Sequence, residues 1–482
     1  MRFTLSSSYS QYKVWYLLAG SIAAIVIGWS IAQVGFLVPA LLVAMAISIP
    51  FVISVFNQPR LGFITLVAYC FLFFIIAREI PSFPFGIVID LLLVTLWVAV
   101  IFNHHKFNWK NIRNDLCLLT LIWFGFNLLQ IANPAGASIL GWVQESRSSA
   151  FYWAFTVPLG FLLFNKKADL NLFLYLIIGL SVLGAINGLK QLHIGMTPGE
   201  QEFLLANAKT HLIWGKLRVF SFYSDAGQFG ASQAHIALIA IILAFGPFAT
   251  WKRVLLLMAA GILITGMFIS GTRGALFALA VGIAFSLLIS KNIKVFILGS
   301  AIALGGFFVL KYTHIGDSNY NIYRMRTALD PQDASLNVRL TNQKILRDYL
   351  ASRPFGGGVG VLGAWGNKYN SDKFLSTIPP DSYWVKVWAM YGIVGFIIWF
   401  GIMLYILGKC CGIVWNIQDK SLKIKLLALT SGAAGILFCS YGNEVINFMP
   451  SSIVVYISWV FVYLGPKLDS KVSPSELPES YA

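Results

Sequence analysis

Long apolar stretches recur along the whole of this 482-residue chain. A helix needs about 20 consecutive apolar residues to cross the hydrocarbon core of a bilayer, and about 17 is the lower limit. Fourteen stretches come near that length, at 14–33, 35–56, 61–77, 85–102, 115–132, 150–164, 169–188, 232–249, 254–270, 274–290, 294–311, 383–408, 422–440 and 450–465. We therefore expect an all-α, polytopic transmembrane fold with about fourteen spans.

The composition excludes other classes of protein. Hydrophobic residues make up 58% of the chain and charged residues only 11%, whereas a soluble chain carries about 25% charged residues. Too few polar groups remain to cover a water-facing surface, which excludes a soluble globular enzyme, a disordered chain and a coiled coil. The five cysteines lie outside both long polar loops, so no disulfide framework is encoded.

The basic residues predict the orientation of the chain in the membrane. The net charge is +16, and alternating the spans from a cytoplasmic N-terminus places 18 Lys and Arg inside. Only Arg78, Arg147 and Arg273 then fall in short outside loops. This positive-inside bias predicts a multi-pass protein of the bacterial inner membrane with both termini cytoplasmic. It also explains the excess charge without nucleic acid. No cleavage site follows the first apolar stretch, which is expected to remain as a span.

We expect N-terminal transmembrane helices over 1–209, C-terminal transmembrane helices over 411–466 and a polar cytoplasmic tail over 467–482. The region between them, 210–410, contains the second long loop. Long outside loops are predicted at 189–231 and 312–382. The second of these periplasmic loops should carry an amphipathic helix over about 336–352, capped by Ser335 and lying flat on the membrane surface.

Arg273 is the most informative charged residue. It lies in the short outside loop 270–275, between two apolar helices and among small neighbours. An arginine fixed at the membrane boundary is suited to bind a phosphate-bearing ligand through its planar guanidinium. The alternative is a side chain that extends to the lipid phosphates.

Arg218 is the second candidate, in the first long outside loop. Lys209, His211 and Lys216 add positive charge nearby, and Asp225 is a possible ion-pair partner for any of them. The alternative interpretation of Arg218 is a solvated loop charge. On the predicted surface helix, Arg339 and Arg347 are candidates for substrate binding, or for contact with anionic lipid headgroups.

Asp381 ends the second long loop, directly after two prolines. A carboxylate at that position is suited to take a proton from a hydroxyl group, and it is also a favoured helix N-cap. No metal-binding motif or cofactor motif stands out. The glycine run 356–360 lacks the Lys-Ser/Thr ending of a nucleotide-binding loop. A site that handles diphosphate here is therefore expected to use arginine rather than a metal ion.

Three segments together resemble the O-antigen ligase and O-antigen polymerase superfamily of bacterial membrane glycosyltransferases. Residues 270–275 are similar to its Ser-x-x-Arg-Gly element, and 217–222 to its Arg-x-x-Gly/Ser-x-Phe element. Residues 353–360, with 381–383 and 391–395, are similar to its Pro-x-x-Gly-x-Gly, His-Asn-x-(Tyr/Phe) and Gly-x-x-Gly region. The resemblance covers about 210–410, and Asp381 stands where the family has His.

The resemblance implies a metal-independent glycosyltransferase of the cell envelope that takes its glycan from a polyprenyl-diphosphate carrier. Arg218 and Arg273 would bind the diphosphate, and Asp381 would act on the acceptor hydroxyl of a lipid or glycan. The implied product is a polysaccharide such as the O-antigen of lipopolysaccharide, made by a polymerase or a ligase. A protein O-oligosaccharyltransferase of the same superfamily and a lipid-linked glycan flippase remain as alternatives. No nucleic acid partner is expected.

Overall fold

The computed structural model describes residues 15, 20–22, 24–26, 28–29, 37–133, 135, 138–291, 293–315, 317–327, 334–379 and 382–469. Regular structure in these residues is helical apart from one hairpin of β1 (Leu212–Ile213) and β2 (Lys216–Leu217). The fold class is therefore confirmed as all-α over the described part of the chain.

The α-helices are α1 (Leu37–Asn57), α2 (Pro59–Glu79), α3 (Gly86–Phe102), α4 (Asp115–Leu129), α5 (Ile139–Ser146), α6 (Tyr152–Leu163), α7 (Lys167–His193), α8 (Pro198–Ala206), α9 (Ala208–His211), α10 (Ala226–Ala244), α11 (Thr250–Ile269), α12 (Arg273–Ile289), α13 (Ile293–Tyr312), α14 (Tyr320–Arg326), α15 (Ala334–Leu350), α16 (Gly363–Tyr369), α17 (Tyr383–Asn416), α18 (Lys420–Cys439) and α19 (Ser451–Leu468). Single 3-10 turns lie at His104–Lys106, Trp109–Ile112, Gln130–Ala132 and Phe374–Thr377, and a π-helical turn lies at Arg147–Phe151.

Eight described helices are long and apolar enough to cross a membrane. They are α2, α7, α10, α11, α17, α18, α19 and the stretch Asp115–Ala132, which joins α4 to the following 3-10 turn. The chain is thus a multi-pass membrane protein. Every apolar stretch predicted from the second onward overlaps a helix, but several of these helices are shorter, so the count of about fourteen stays a prediction. Most of 14–33 and residues 470–482 of the tail lie outside the described residues.

The centre of the bundle is built from α10, α12, α18 and α19, and α10 and α19 are almost entirely buried. Glycines bring these backbones close together. A Cβ added at Gly282 would lie 2.2 Å from Leu238, and one added at Gly435 would lie 2.5 Å from the carbonyl oxygen of Ala278. Small residues at such contacts are how helices associate inside a membrane.

Helix α17 is interrupted near its start. Gly392 has φ 67° and ψ −171°, which only glycine adopts readily. A Cβ there would lie 2.0 Å from the carbonyl oxygen of Pro354. The same carbonyl accepts a hydrogen bond from the N–H of Val394, at 3.2 Å.

The glycine run 356–360 compensates for this interruption. The N–H groups of Gly357 and Gly358 donate to the carbonyl oxygens of Ala389 and Met390, at 2.9 and 3.0 Å. These carbonyls would otherwise be left without partners by the break, which buried backbone does not tolerate. The glycine run is therefore a tightly packed loop against α17.

The helix predicted in the second long loop is present as α15. It begins at Ala334, so Ser335 lies inside the helix and the predicted cap is wrong. Leu346 and Leu350 are buried, whereas Leu340 is 44% exposed. Only the C-terminal half of the helix is therefore buried against the bundle, where it contacts α17. Its position on the membrane surface stays a prediction.

Candidate functional site

A tight turn joins α11 to α12 and forms the base of the candidate site. Gly271 lies in the left-handed region, with φ 57°. The hydroxyl of Ser270 donates to the carbonyl of Met267 at 2.6 Å and accepts from the N–H of Thr272 at 3.1 Å. A Cβ added at Gly230 of α10 would lie 2.2 Å from that hydroxyl oxygen. The turn is thus held rigidly against the central helix.

Arg218 lies across this turn. Its Nε donates to the carbonyl of Ser270 at 3.2 Å, and its Nη2 donates to the Thr272 hydroxyl at 3.1 Å. Its Nη1 donates to the carbonyl of Thr210 at 2.8 Å. All three partners are neutral oxygens, so these bonds orient the guanidinium without cancelling its charge.

Arg324, at the middle of α14, binds the same turn. Its Nε donates to the carbonyl oxygen of Gly271 at 2.6 Å. The sequence analysis did not single out this residue, because nothing in its local sequence indicates which loop it will contact. The structure therefore adds a second guanidinium to the turn that Arg218 already occupies.

Arg273 is the first residue of α12, directly after the turn. Its Nη1 lies 3.5 Å from the hydroxyl of Thr327. The Thr272 hydroxyl donates to the carbonyl of Ala226, at 2.7 Å, and does not cap α12. The first N–H groups of α12 thus lie beside the arginines, and an uncapped helix N-terminus favours anions.

Positive charge is concentrated here. The pKa of Arg218 is lowered to about 10, mainly by burial and with contributions from the charges of Arg324 and Arg273, while Asp225 opposes the shift. The guanidinium still keeps its proton at neutral pH. We call Arg218, Arg273 and Arg324 the arginine cluster. Like charges are costly to hold together, and an anion bound among them would relieve that cost.

Arg339 approaches the same region from α15. Its Nη1 would lie 4.0 Å from a Cβ added at Gly442, in the loop between α18 and α19. Its Nε is buried, and no hydrogen-bond acceptor reaches it among the described residues. The neighbouring Asn443 would lie 2.1 Å from a Cβ added at Gly274, in the first turn of α12. This loop therefore connects α15 to the start of α12.

Two other predicted residues, Arg347 and Lys216, lie at the surface. Arg347 is exposed, with its Nε 3.5 Å from the carboxylate of Asp348. Lys216 is exposed on β2. Asp381 lies outside the described residues, as does the preceding proline. Ser382 caps α17 by accepting the N–H of Val385 at 3.3 Å, so the cap is Ser382 and not Asp381.

His211 is buried between the rings of Phe203 and Phe220. Its Nε2 accepts the N–H of Ala226 at 3.3 Å, and its Nδ1 lies 3.2 Å from the carbonyl of Asn207. Burial lowers its pKa below the usual value, although the contact with Asn207 opposes the shift. The neutral ring therefore links the segment before Arg218 to the start of α10.

Arg78, at the end of α2, is a buried residue that the sequence analysis assigned only to topology. Its guanidinium donates to the carbonyls of Ser221 and Tyr223 and lies 4.3 Å from the ring centre of Phe203. It thereby fixes the backbone that follows Arg218. The signal in the sequence was a positive charge in a loop where the positive-inside rule disfavours one.

A cavity of about 790 Å³ lies beside the loop between α18 and α19. Its wall includes Glu145, Lys386 and Glu444, and no member of the arginine cluster is among the described residues that line it. Lys386 Nζ lies 2.9 Å from Glu145 and 2.5 Å from Glu444. No group of three or more His, Cys, Asp or Glu suited to a metal ion occurs among the described residues.

The sequence model of the family described as O-antigen ligase matches residues 258–400. The matched segment includes the turn, Arg273, Arg324, Arg339 and the interrupted start of α17, and Arg218 precedes it. The resemblance predicted from the sequence is therefore confirmed. No curated protein matches the chain.

Proposed function

Taking the O-antigen ligase match as a premise, we propose that the protein transfers glycan from a polyprenyl-diphosphate carrier at the outer face of a bacterial inner membrane. The arginine cluster around one rigid turn carries this proposal. A diphosphate presents several anionic oxygens, and planar guanidinium groups bind such oxygens in fixed geometry. The uncapped start of α12 adds backbone donors of the same electrostatic sign.

The chemistry follows from the leaving group. An acceptor hydroxyl attacks the anomeric carbon of the carrier-linked sugar, and the bond from that carbon to the diphosphate oxygen breaks. Negative charge grows on the diphosphate as the bond breaks, and preorganised cations stabilise that charge. The hydroxyl proton needs an acceptor, for which we propose the Asp381 carboxylate. No step requires a metal ion.

The proposal is tested by transfer assays with purified protein in lipid nanodiscs and its own lipid-linked donor. We expect Arg273→Ala and Arg218→Ala each to lower the transfer rate by about 10²-fold or more, the usual cost of losing a preorganised donor to the transition-state charge. Arg353→Ala is the matched control, because it removes a charge that lies over the ring of Tyr349. Wild-type transfer by Arg273→Ala protein would refute the mechanism.

The product separates the possible reactions. If the protein is a polymerase, cells with the Arg273→Ala protein should carry single repeat units on the lipid anchor. If it is a ligase, the acceptor should carry no glycan. If it is a protein oligosaccharyltransferase, the acceptor protein should remain unglycosylated in those cells. A flippase should keep its activity in Asp381→Asn protein, whereas a transferase with that substitution should bind donor and turn it over slowly.

A further inference from the structure

The cavity beside the loop between α18 and α19 is large enough for a ligand. Its volume of about 790 Å³ falls within the range of small-molecule pockets, about 300–1,000 Å³. Residues from six parts of the chain line it: the end of α2, the start of α3, the stretch from the end of α5 to the start of α6, the segment around α16, the start of α17 and the loop before α19.

The charges in its wall cancel. Glu145 and Glu444 both contact Lys386, and these three groups carry one net negative charge. Arg147 also lines the cavity and pairs with Asp90 at 2.6 Å. The lining therefore holds two carboxylates and two cations. Such a wall offers a small anion no net attraction, which distinguishes it from the arginine cluster.

The cavity also presents hydrogen-bonding groups to an uncharged ligand. Asn447 is 3% exposed and donates to Glu444 at 2.9 Å, but its Oδ1 has no hydrogen-bond partner among the described residues. A buried acceptor without a partner is costly. Gln144 and Asn367 add amide groups to the lining. A ligand that carries hydroxyl groups would satisfy these amides.

Aromatic side chains complete the lining. Trp365 of α16 is half-buried, and Tyr152 and Phe448 also face the cavity. Aromatic faces bind apolar C–H surfaces, whereas the amides and carboxylates bind hydroxyls. One class of small molecule has both kinds of surface in every unit and no net charge, namely a neutral saccharide.

The position of the cavity relates it to the arginine cluster. Asn443 lies against Gly274, the residue after Arg273, and the next residue, Glu444, lines the cavity. We propose that this cavity binds the glycan on which the protein acts, with Trp365, Asn367 and Asn447 as its recognition groups. The inference rests on the proposed glycan transfer, which brings a sugar next to the diphosphate.

Two probes test the cavity separately from the arginine cluster. The first is the repeat-unit oligosaccharide, released by mild acid from the cell's own lipid-linked pool. The second is inorganic diphosphate. Binding of each is titrated by saturation-transfer NMR against wild-type protein, Trp365→Ala, Asn367→Ala and Arg273→Ala. Lys368→Ala is the matched control, because Lys368 is exposed on the same helix as Trp365 and does not line the cavity.

We expect Trp365→Ala to weaken oligosaccharide binding by about tenfold, within the range set by losing one aromatic contact, and to leave diphosphate binding unchanged. Arg273→Ala should do the reverse. Wild-type oligosaccharide binding by both Trp365→Ala and Asn367→Ala protein would overturn the inference. If Arg273→Ala protein kept diphosphate binding while Trp365→Ala protein lost the saccharide, the proposed function would fail and the cavity assignment would stand.

Transfer kinetics identify the source of the saccharide. Trp365→Ala should raise the KM for the lipid-linked donor if the cavity holds the donor glycan, and the KM for the acceptor if it holds the acceptor glycan. Either result supports the assignment. A fall in kcat with both KM values unchanged would show a merely structural role for Trp365 and would contradict it.

Discussion

The arginine cluster and the neighbouring cavity both bury charge, but they treat it in opposite ways. Arg218 donates to carbonyl and hydroxyl oxygens, so none of its hydrogen bonds is to a carboxylate, and Asp225 acts on its charge without such a bond. Lys386 lies between two carboxylates and is fully compensated. A buried charge with neutral partners attracts an ion from outside, whereas a buried charge with ionic partners holds the structure together.

Removing a cation should therefore have different effects in the arginine cluster and in the cavity wall. Removing Arg218 should affect substrate binding more than folding, because its side chain donates to carbonyl and hydroxyl oxygens and no ion pair is broken. Removing Lys386 should affect folding more than substrate, since it leaves two carboxylates facing each other.

The largest effect is expected for Lys386→Met. Breaking a buried ion pair by removing one partner costs about 3–5 kcal/mol, because an uncompensated charge remains. We expect a large fall in the thermal unfolding midpoint in detergent, partly restored by adding Glu145→Gln. Lys368→Met, at an exposed position, should leave the midpoint unchanged. Equal unfolding midpoints for Lys386→Met and wild-type protein would show that the ion pairs of Lys386 do not stabilise the fold.

The next effect concerns Arg324→Ala. We expect the initial transfer rate to fall by about 10²-fold, because a donor to the developing diphosphate charge is lost, with little change in the unfolding midpoint. Arg326→Ala is the control on the same helix. Its guanidinium pairs with Asp317, so its charge is compensated and its removal should retain most of the rate. Equal losses in both variants would contradict the assignment of Arg324.

A smaller effect is expected for Gly271→Ala. Left-handed backbone costs alanine about 1–2 kcal/mol, and the new Cβ would lie 2.9 Å from Arg324 Nε. Stability should therefore fall modestly and the transfer rate should fall with it. Gly261→Ala is the control, because that glycine lies in open space within α11. Alanine there should stabilise the helix by up to about 1 kcal/mol, whereas Gly271→Ala should destabilise the protein.

The smallest effect is a pH dependence from His211. Its folded pKa lies below that of an unfolded histidine, about 6.5. Its contribution to stability is therefore present above that value and is lost as the pH falls through the folded pKa. As the pH falls below about 6.5, the unfolding midpoint of the wild-type protein should fall. The midpoint of His211→Gln protein should show less of this fall. His314→Gln protein, which is changed at an exposed side chain, should show the same fall as wild type.

Hydropathy predicted most helix boundaries within a few residues, and one of the exceptions, the start of α10, has a clear physical cause. The eighth predicted stretch begins at 232, whereas α10 begins at Ala226. Its first turns bury polar groups that hydropathy counts against a span. Gln228, for example, donates to the carbonyl of Phe448 and to the hydroxyl of Ser451. Such partners come from a distant helix and cannot be read from local sequence.

The candidate site was predictable to a similar extent. Small neighbours and the charge rule pointed to Arg273 and Arg218, and the structure brings both to one turn. The same signals do not distinguish Arg347, which is exposed, from Arg339, which approaches the site. Arg324 and Glu145 were missed because their roles depend on contacts across more than fifty residues of chain.

The interruption at Gly392 has a mechanical consequence. The carbonyl oxygens of Ala389 and Met390, just before the interruption, accept hydrogen bonds from the glycine run and not from the helix that continues behind them. Lys386 lies on this short segment, and so does Ser382 at its start. The position of Lys386 in the cavity wall therefore depends on the loop that carries residues 356–360 as well as on α17 itself.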